Sequence, residues 1–288
     1  MEAEIPALQP TIFRTRRHFR ETASTGEMAA LIDTIGRRGT YGLLLKAPDA
    51  PEVAAAVDRL CGRGVPIITL VTDVANCGRE AYVGMDNRAA GETAAFLIGE
   101  WLGPGPAKVL ATLSSNRLRE EEEREIDFRR ALRTRYPYLG VVDVSEALGI
   151  NRTTGALVRQ ALAAFPDIAA VYSIGGGNLA VLEAFDSMKR PCRVFVGHDL
   201  NADNRGLLQA ARISAVLQHD LHSDMRLACQ HVMRAHRLLP KAAPSPPHKC
   251  RSLRPSICLA WGPLRGSAHI HFSSYKRDVL LLTREARY

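Results

Sequence analysis

The chain contains no CxxC pair. Its six cysteines (Cys61, Cys77, Cys192, Cys229, Cys250 and Cys258) are scattered through 288 residues. That spacing excludes a zinc ribbon and argues against a disulfide framework, so thiols in a reducing, cytoplasmic setting are expected. No apolar run approaches the roughly 20 residues needed to span a bilayer, and no membrane contact is expected. The first residues, MEAEIPALQP, carry neither the basic start nor the apolar core of a signal peptide. There is no GxxxxGK[ST] loop and no GxSxG, HExxH or Cys–His nucleophile pattern. Nothing demands catalysis, and neither an enzyme nor a cofactor is expected.

The folded part also lacks excess charge. The net +8 is concentrated after Pro240, where nine basic and two acidic residues lie. Residues 1–240 hold 29 basic and 28 acidic side chains and are close to neutral. A basic face for nucleic acid is therefore not supported for the body of the chain. Residues 241–288 are rich in Pro, Arg, Ser and His without a helical period, and read as a basic low-order tail.

What is present is alternation. Short apolar runs at 41–45, 65–71, 108–113, 139–144, 169–173, 192–197 and 213–217 read as buried strands. Helical patterns lie between them, at 25–38, 51–61, 87–102, 117–136, 153–165, 178–187 and 202–211, and 220–239 follows the last run. Residues 12–19 fit a further strand and 1–8 the last turns of a helix. This βαβα order predicts an α/β protein with parallel sheets. The Gly–Pro break at 103–106 suggests two Rossmann-like lobes. We place an N-terminal lobe at 1–105, a C-terminal lobe at 106–217, and a helix at 218–240 that returns to the first lobe.

In such sheets ligands sit at the carboxyl ends of the strands. Three strands end in chemistry-bearing residues: Asp73 after 65–71, the turn Gly175–Gly176–Gly177 with Asn178 after 169–173, and Asp199 after 192–197. Asp199 either caps the next helix or accepts from ligand hydroxyls, and Asp73 has the same two readings. The pattern Gly175-x-Gly177-x-x-Ala180, with Asp199 beyond it, matches a permissive dinucleotide fingerprint, although several βα units precede it. Arg117, Arg119 and Arg124 flank Glu120–Glu123. Four successive glutamates point in every direction around a helix, so most should face water, with one arginine free to point at the strand tips. His219 and His222 at i, i+3 lack a third ligand in sequence, and no metal is expected.

Residues 27–239 resemble the effector-binding core of lactose-repressor-type (LacI/GalR) regulators, itself similar to periplasmic sugar-binding proteins of type 1 architecture. The stretches that carry the likeness are 42–73 (GLLLKAPDAPEVAAAVDRLCGRGVPIITLVTD), 82–102 (YVGMDNRAAGETAAFLIGEWL), 108–132, 169–185, 193–208 and 213–225. The resemblance implies two lobes with a sugar or polyol in the cleft between them, a homodimer, and ligand contacts from Asp73, Arg124, Asn178, Asp199, and Gln218 or His219. Arg119 joins them as a candidate from the residues alone. Asp86 and Asn87 match a motif with a structural role. Such regulators bind operator DNA through a helix-turn-helix, which this sequence lacks. The likeness also fails at the family's first strand and after Pro247, so a fold incomplete at both ends, with unpaired sheet edges, is expected. The function implied is a sugar-sensing regulator core. The alternative is the solute-binding protein of a sugar ABC transporter, and a dinucleotide-binding enzyme comes third.

Overall fold

The computed structural model describes residues 13–20, 24–36, 40–115, 118–145, 151–218, 220–240, 251–253 and 277–284. The expected helix at 1–8 lies outside them, as do Arg117 and His219. The described elements are β1 (Phe13–Arg20), α1 (Thr25–Gly36), β2 (Gly42–Leu45), α2 (Pro51–Cys61), β3 (Ile67–Leu70), β4 (Ala81–Val83), α3 (Asn87–Leu102), β5 (Ala107–Thr112), α4 (Arg119–Arg135), β6 (Leu139–Val144), α5 (Asn151–Ala164), β7 (Ile168–Ser173), α6 (Asn178–Ser187), β8 (Val194–His198), α7 (Ala202–Gln209), β9 (Ala215–Gln218), α8 (Leu221–Ala235), β10 (Arg251–Leu253) and β11 (Arg277–Arg284).

They form two sheets, in the orders β1-β11-β2-β3-β4 and β10-β9-β8-β7-β5-β6. Strands β2, β3 and β4 are parallel, as are β6, β5, β7, β8 and β9. Strand period places neighbours along each chain on opposite faces. In the first sheet Leu43, Leu45 and Ile67 meet Met28, Ile32, Val53 and Val57 of α1 and α2. Leu44, Ile68 and Leu70 face the other way, onto Met225, Ala228, Cys229, Val232 and Met233. Those five lie on one stripe of α8, at helical spacing. The second sheet divides likewise: Val109, Tyr172, Val196 and Leu217 pack under α3 and α4, and Leu110, Val171, Phe195 and Val216 under α5, α6 and α7.

Two findings alter the sequence-based outline. Helix α3 packs against α4, β7 and β8, and its Ala90, Ala94 and Ile98 share a core with Val109, Phe128 and Tyr172. The chain therefore crosses between lobes at 84–86, before α3, and not at 103–106. Gly103, at φ 73, only ends α3 inside the second lobe. The second finding concerns the stretch expected to be of low order. β10 pairs antiparallel with β9, and β11 lies antiparallel to both β1 and β2, between them. The Pro- and Arg-rich average of that stretch hid the run Val279–Leu280–Leu281–Leu282. Among the described residues no helix is long and apolar enough to cross a membrane.

Candidate functional site

The first lobe offers the tips of β2 and β3. Lys46 follows β2 and is buried. Asp73 follows β3, and its carboxylate is held within its own lobe. Its Oδ1 accepts from Thr69 Oγ1 at 2.7 Å and from the Val74 N–H at 2.9 Å, and its Oδ2 pairs with Arg79. The crossing segment is pinned by Tyr82, whose Oη donates to the Val71 and Met85 carbonyls and accepts from Asn87 Nδ2. Asp86 caps α3 by accepting from the Ala89 N–H.

The second lobe contributes α4. Glu120, Glu121, Arg124, Asp127 and Phe128 are all buried. Their spacing (i, i+1, i+4, i+7, i+8) is one helix face, and it is the face turned inward. Of Glu120–Glu123 only Glu122 is exposed. The expectation that most of this run faces water is therefore wrong, because the start of α4 is wedged between the lobes. Glu121 Oε2 accepts from the Ser114 N–H at 2.7 Å, its Oε1 accepts from Ser114 Oγ, and the Ser115 N–H is at 3.4 Å from Oε2. Burial, then the neighbouring Glu120 charge, push its pKa up to about 7 against those hydrogen bonds.

Arg124 is buried, and its Nε donates to Asn87 Oδ1 at 2.9 Å. Burial works against its charge, but Asp199, Tyr172, Glu120 and Glu121 more than offset this and hold its pKa above the ordinary arginine value. Its helix comes very close to α3: a Cβ on Gly91 would lie 2.2 Å from the Arg124 carbonyl oxygen. Two ion pairs join the lobes here. Arg119 Nη1 lies 3.2 Å from Asp49 Oδ2, and Lys46 Nζ lies 3.9 Å from Glu120 Oε1.

Between these groups lies a cavity of about 250 Å³. Asp73 and Tyr82 line it from one side, Asn87 from the crossing, and Arg119, Glu120 and Glu123 from α4. Of the sequence candidates, Asp73 and Arg119 are at its wall. Arg124 stands one layer behind, held to the lining residue Asn87, with Asp199 near enough to be the strongest favourable charge on it. Asp199 adopts φ 63, a left-handed conformation that an aspartate tolerates. It does not cap α7, since Asn201 does so by accepting from the Asn204 N–H.

Asn178 lies elsewhere. Its Oδ1 accepts from Ser173 Oγ, and its Nδ2 donates to Asn204 Oδ1 at 2.7 Å. Asn204 Nδ2 in turn donates to the carbonyls of His198 and Asp199. Asn178 thus braces the strand tip that carries Asp199, and both ends of its amide are used in doing so. Gln218 ends β9, half-buried beside Arg251 of β10. Asp220 caps α8, accepting from the N–H groups of His222 and Ser223.

The glycine turn has a backbone explanation. A Cβ on Gly175 would lie 2.0 Å from the Ser114 nitrogen, and Gly176 and Gly177 adopt φ 83 and 68. The close approach of Gly175 is to the loop after β5, so a backbone contact accounts for this glycine without a phosphate. Lys46, Asp49, Glu120 and Glu123 were missed from the sequence. The rule that found Asp73 would have found Lys46, since it too follows a parallel strand.

The profile of the periplasmic binding protein domain matches residues 12–230. The ribose import binding protein RbsB of Bacillus subtilis (strain 168) is 28% identical over 188 residues, covering 65% of this chain and 60% of that protein. The chain thus spans about 60% of the length of this curated relative. Among solved structures, a solute-binding protein of an ABC transporter from Burkholderia graminis C4D1M, in complex with D-arabinose, superposes with a TM-score of 0.73 at 18% identity, covering 83% of this chain and 84% of the other. A glucose-galactose binding protein from Geobacillus stearothermophilus superposes at 0.70 with 18% identity, covering 82% and 84%. These likenesses extend over both lobes, and the profile match alone takes in three quarters of the sequence: this chain belongs to the periplasmic binding protein domain family.

Proposed function

We propose that the chain binds a monosaccharide in the cleft between its lobes. The observation that carries this reading is the cavity beside α4, where carboxylates and an arginine from both lobes converge on one small space. A sugar hydroxyl donates one hydrogen bond and accepts others. A wall of carboxylates and guanidinium N–H groups matches both needs, and both groups can bind adjacent hydroxyls in bidentate fashion. About 250 Å³ is at the small end of ligand pockets and suits one sugar ring rather than an oligosaccharide.

The relatives above are named for sugar import and sugar binding, so the solute-binding reading comes before that of a LacI-type sensor core. In both, two lobes close on a ligand, and the closed arrangement is favoured by the ligand's preference for it. No catalytic role is proposed, as the cleft pairs its acids with bases instead of presenting a nucleophile.

A thermal melt of the full chain against D-ribose, D-arabinose, D-allose, D-galactose and D-fructose tests the proposal. A sugar at about 100 times its dissociation constant adds about 2.7 kcal/mol, which raises the midpoint visibly. A cooperative melt unmoved by all of them would count against it.

A further inference from the structure

Among the described residues that line the cavity, the fold leaves a buried carboxylate oxygen unsatisfied. Glu120 is 3% exposed, lines the cavity, and has no hydrogen-bond partner for its Oε2 among the described residues. Its other oxygen, Oε1, faces Lys46 Nζ across the cleft at 3.9 Å, too long for a hydrogen bond. A buried carboxylate oxygen without a donor is costly, and the cost disappears if a ligand supplies one. The charge of the lining sets the kind of ligand. The cations at the lining already face acids: Arg79 faces Asp73, Lys46 faces Glu120, Arg119 faces Asp49 and Glu123, and Arg88 faces Asp127, so none is left over for an anion. An anionic ligand would bring a further negative charge against a carboxylate oxygen that lacks a donor, whereas a neutral ring hydroxyl brings that proton donor without charge. Arg119, whose Nη1 and Nε donate to Asp49 and Glu123, lines the same cavity.

We propose that Glu120 is a specificity-determining residue of this cleft: its Oε2 accepts a hydrogen bond from one ring hydroxyl of a neutral sugar, and its charge selects against sugar phosphates and sugar acids. This deepens the sugar-binding reading and rests on it. Glu120 is unlike Asp73, whose carboxylate is already occupied by Thr69, Val74 and Arg79. The resemblance to known families did not single it out, because its place in a run of glutamates made it look like a solvated side chain.

The test is a coupling measurement by calorimetric titration of the full chain. The wild type, Glu120→Ala, Glu120→Gln and Lys46→Met are titrated with D-ribose, D-arabinose and D-allose, then with the monodeoxy derivatives and the phosphate ester of whichever binds tightest. For the wild type, one deoxy derivative should bind about 10- to 100-fold more weakly than its parent, the size expected for a hydrogen bond to a charged group. The phosphate ester should show no binding. In Glu120→Ala the same derivative and its parent should bind alike, and Glu120→Gln, which keeps the volume, should shrink the difference and admit the phosphate ester.

A deoxy penalty of the same size in the wild type and both Glu120 variants would overturn the assignment, as would a Lys46→Met variant that reproduces every effect of Glu120→Ala. The latter result would make Glu120 only the partner of Lys46. If none of the three sugars binds the wild type, the sugar-binding reading itself falls and this assignment falls with it, an outcome distinct from binding without coupling.

Discussion

Arg119 Nη1 stands 3.2 Å from Asp49 Oδ2, although the two residues belong to different lobes. With Lys46 and Glu120 as a second pair, this makes an electrostatic contact between the lobes across the cleft. The Arg119 pair is partly exposed, with side chains 35% and 29% accessible, so it is screened and worth at most about 1 kcal/mol. The double variant Asp49→Asn/Lys46→Met removes both pairs and should loosen the contact between the lobes. Small-angle scattering would read this as a larger radius of gyration, and added salt should move the wild type in the same direction. Identical scattering from the two proteins would contradict the role given to these pairs.

Glu121 makes stability depend on pH in a direction unusual for a carboxylate. Burial and the Glu120 charge raise its pKa to about 7 in the folded chain, above the ordinary 4.5. The folded state thus holds this proton more tightly than the unfolded state. The resulting stabilisation is fully present below about pH 4.5 and is lost as pH rises through about 7, a change of about 3 kcal/mol. Urea midpoints measured from pH 5 to 8 should fall in the wild type and fall less in Glu121→Gln, where no proton is released. Parallel slopes in the two proteins would count against the assignment.

Arg124 and Asn178 should separate support of the cavity wall from support of a strand tip. Arg124→Met removes a buried cation that faces Glu120, Glu121 and Asp199 and frees the lining residue Asn87, so it should lower stability by about 3 kcal/mol and weaken sugar binding. Asn178→Ala removes the link between Ser173 and Asn204 and should cost about 1–2 kcal/mol. Its affinity for sugar should then stay within a few-fold of the wild type at temperatures where the variant is folded. Titration calorimetry on the two variants checks both statements.

Gly91 sits where α3 and α4 touch backbone to backbone. Gly91→Ala would bring a methyl group to 2.2 Å from the Arg124 carbonyl and 2.9 Å from the Phe128 nitrogen, neither of which can rotate away. The helices must move apart, so the thermal midpoint should drop by the equivalent of about 1–3 kcal/mol, and Arg124 should lose its register with Asn87. Alanine at Gly26, where nothing lies within 4 Å of the added methyl, is the control that should leave stability nearly unchanged.

The fold was legible from the sequence because its strands are short, fully apolar and separated by helices with clear stripes. Pro51–Cys61, Asn87–Leu102, Leu139–Val144 and Asn178–Ser187 fall within the limits that their patterns set. Periodicity does not reveal which lobe a helix joins. For that reason the crossover was placed at the conspicuous Gly–Pro break and not at 84–86, where no composition signal exists. Of the sequence candidates, Asp73, at a strand end, and Arg119, at the start of α4, line the cavity, whereas Arg124 and Asp199 are not in its lining. Glu120 and Glu121 could not be found in this way, because burial of a glutamate depends on how α4 is wedged between the lobes, which local sequence does not encode. Asn178 carried a plausible side chain at a plausible strand tip, yet its hydrogen bonds turn it inward to Asn204.

The most direct test of the account is titration calorimetry of the full chain with D-ribose, D-arabinose and D-allose, in parallel with Arg124→Met. Saturable heat is expected with at least one sugar at one molecule per chain, weakened or lost in the variant while its circular dichroism remains that of a folded α/β protein. No heat with any of the three would contradict a sugar site between the lobes, and equal binding by the wild type and Arg124→Met would contradict the support that Arg124 gives its wall through Asn87.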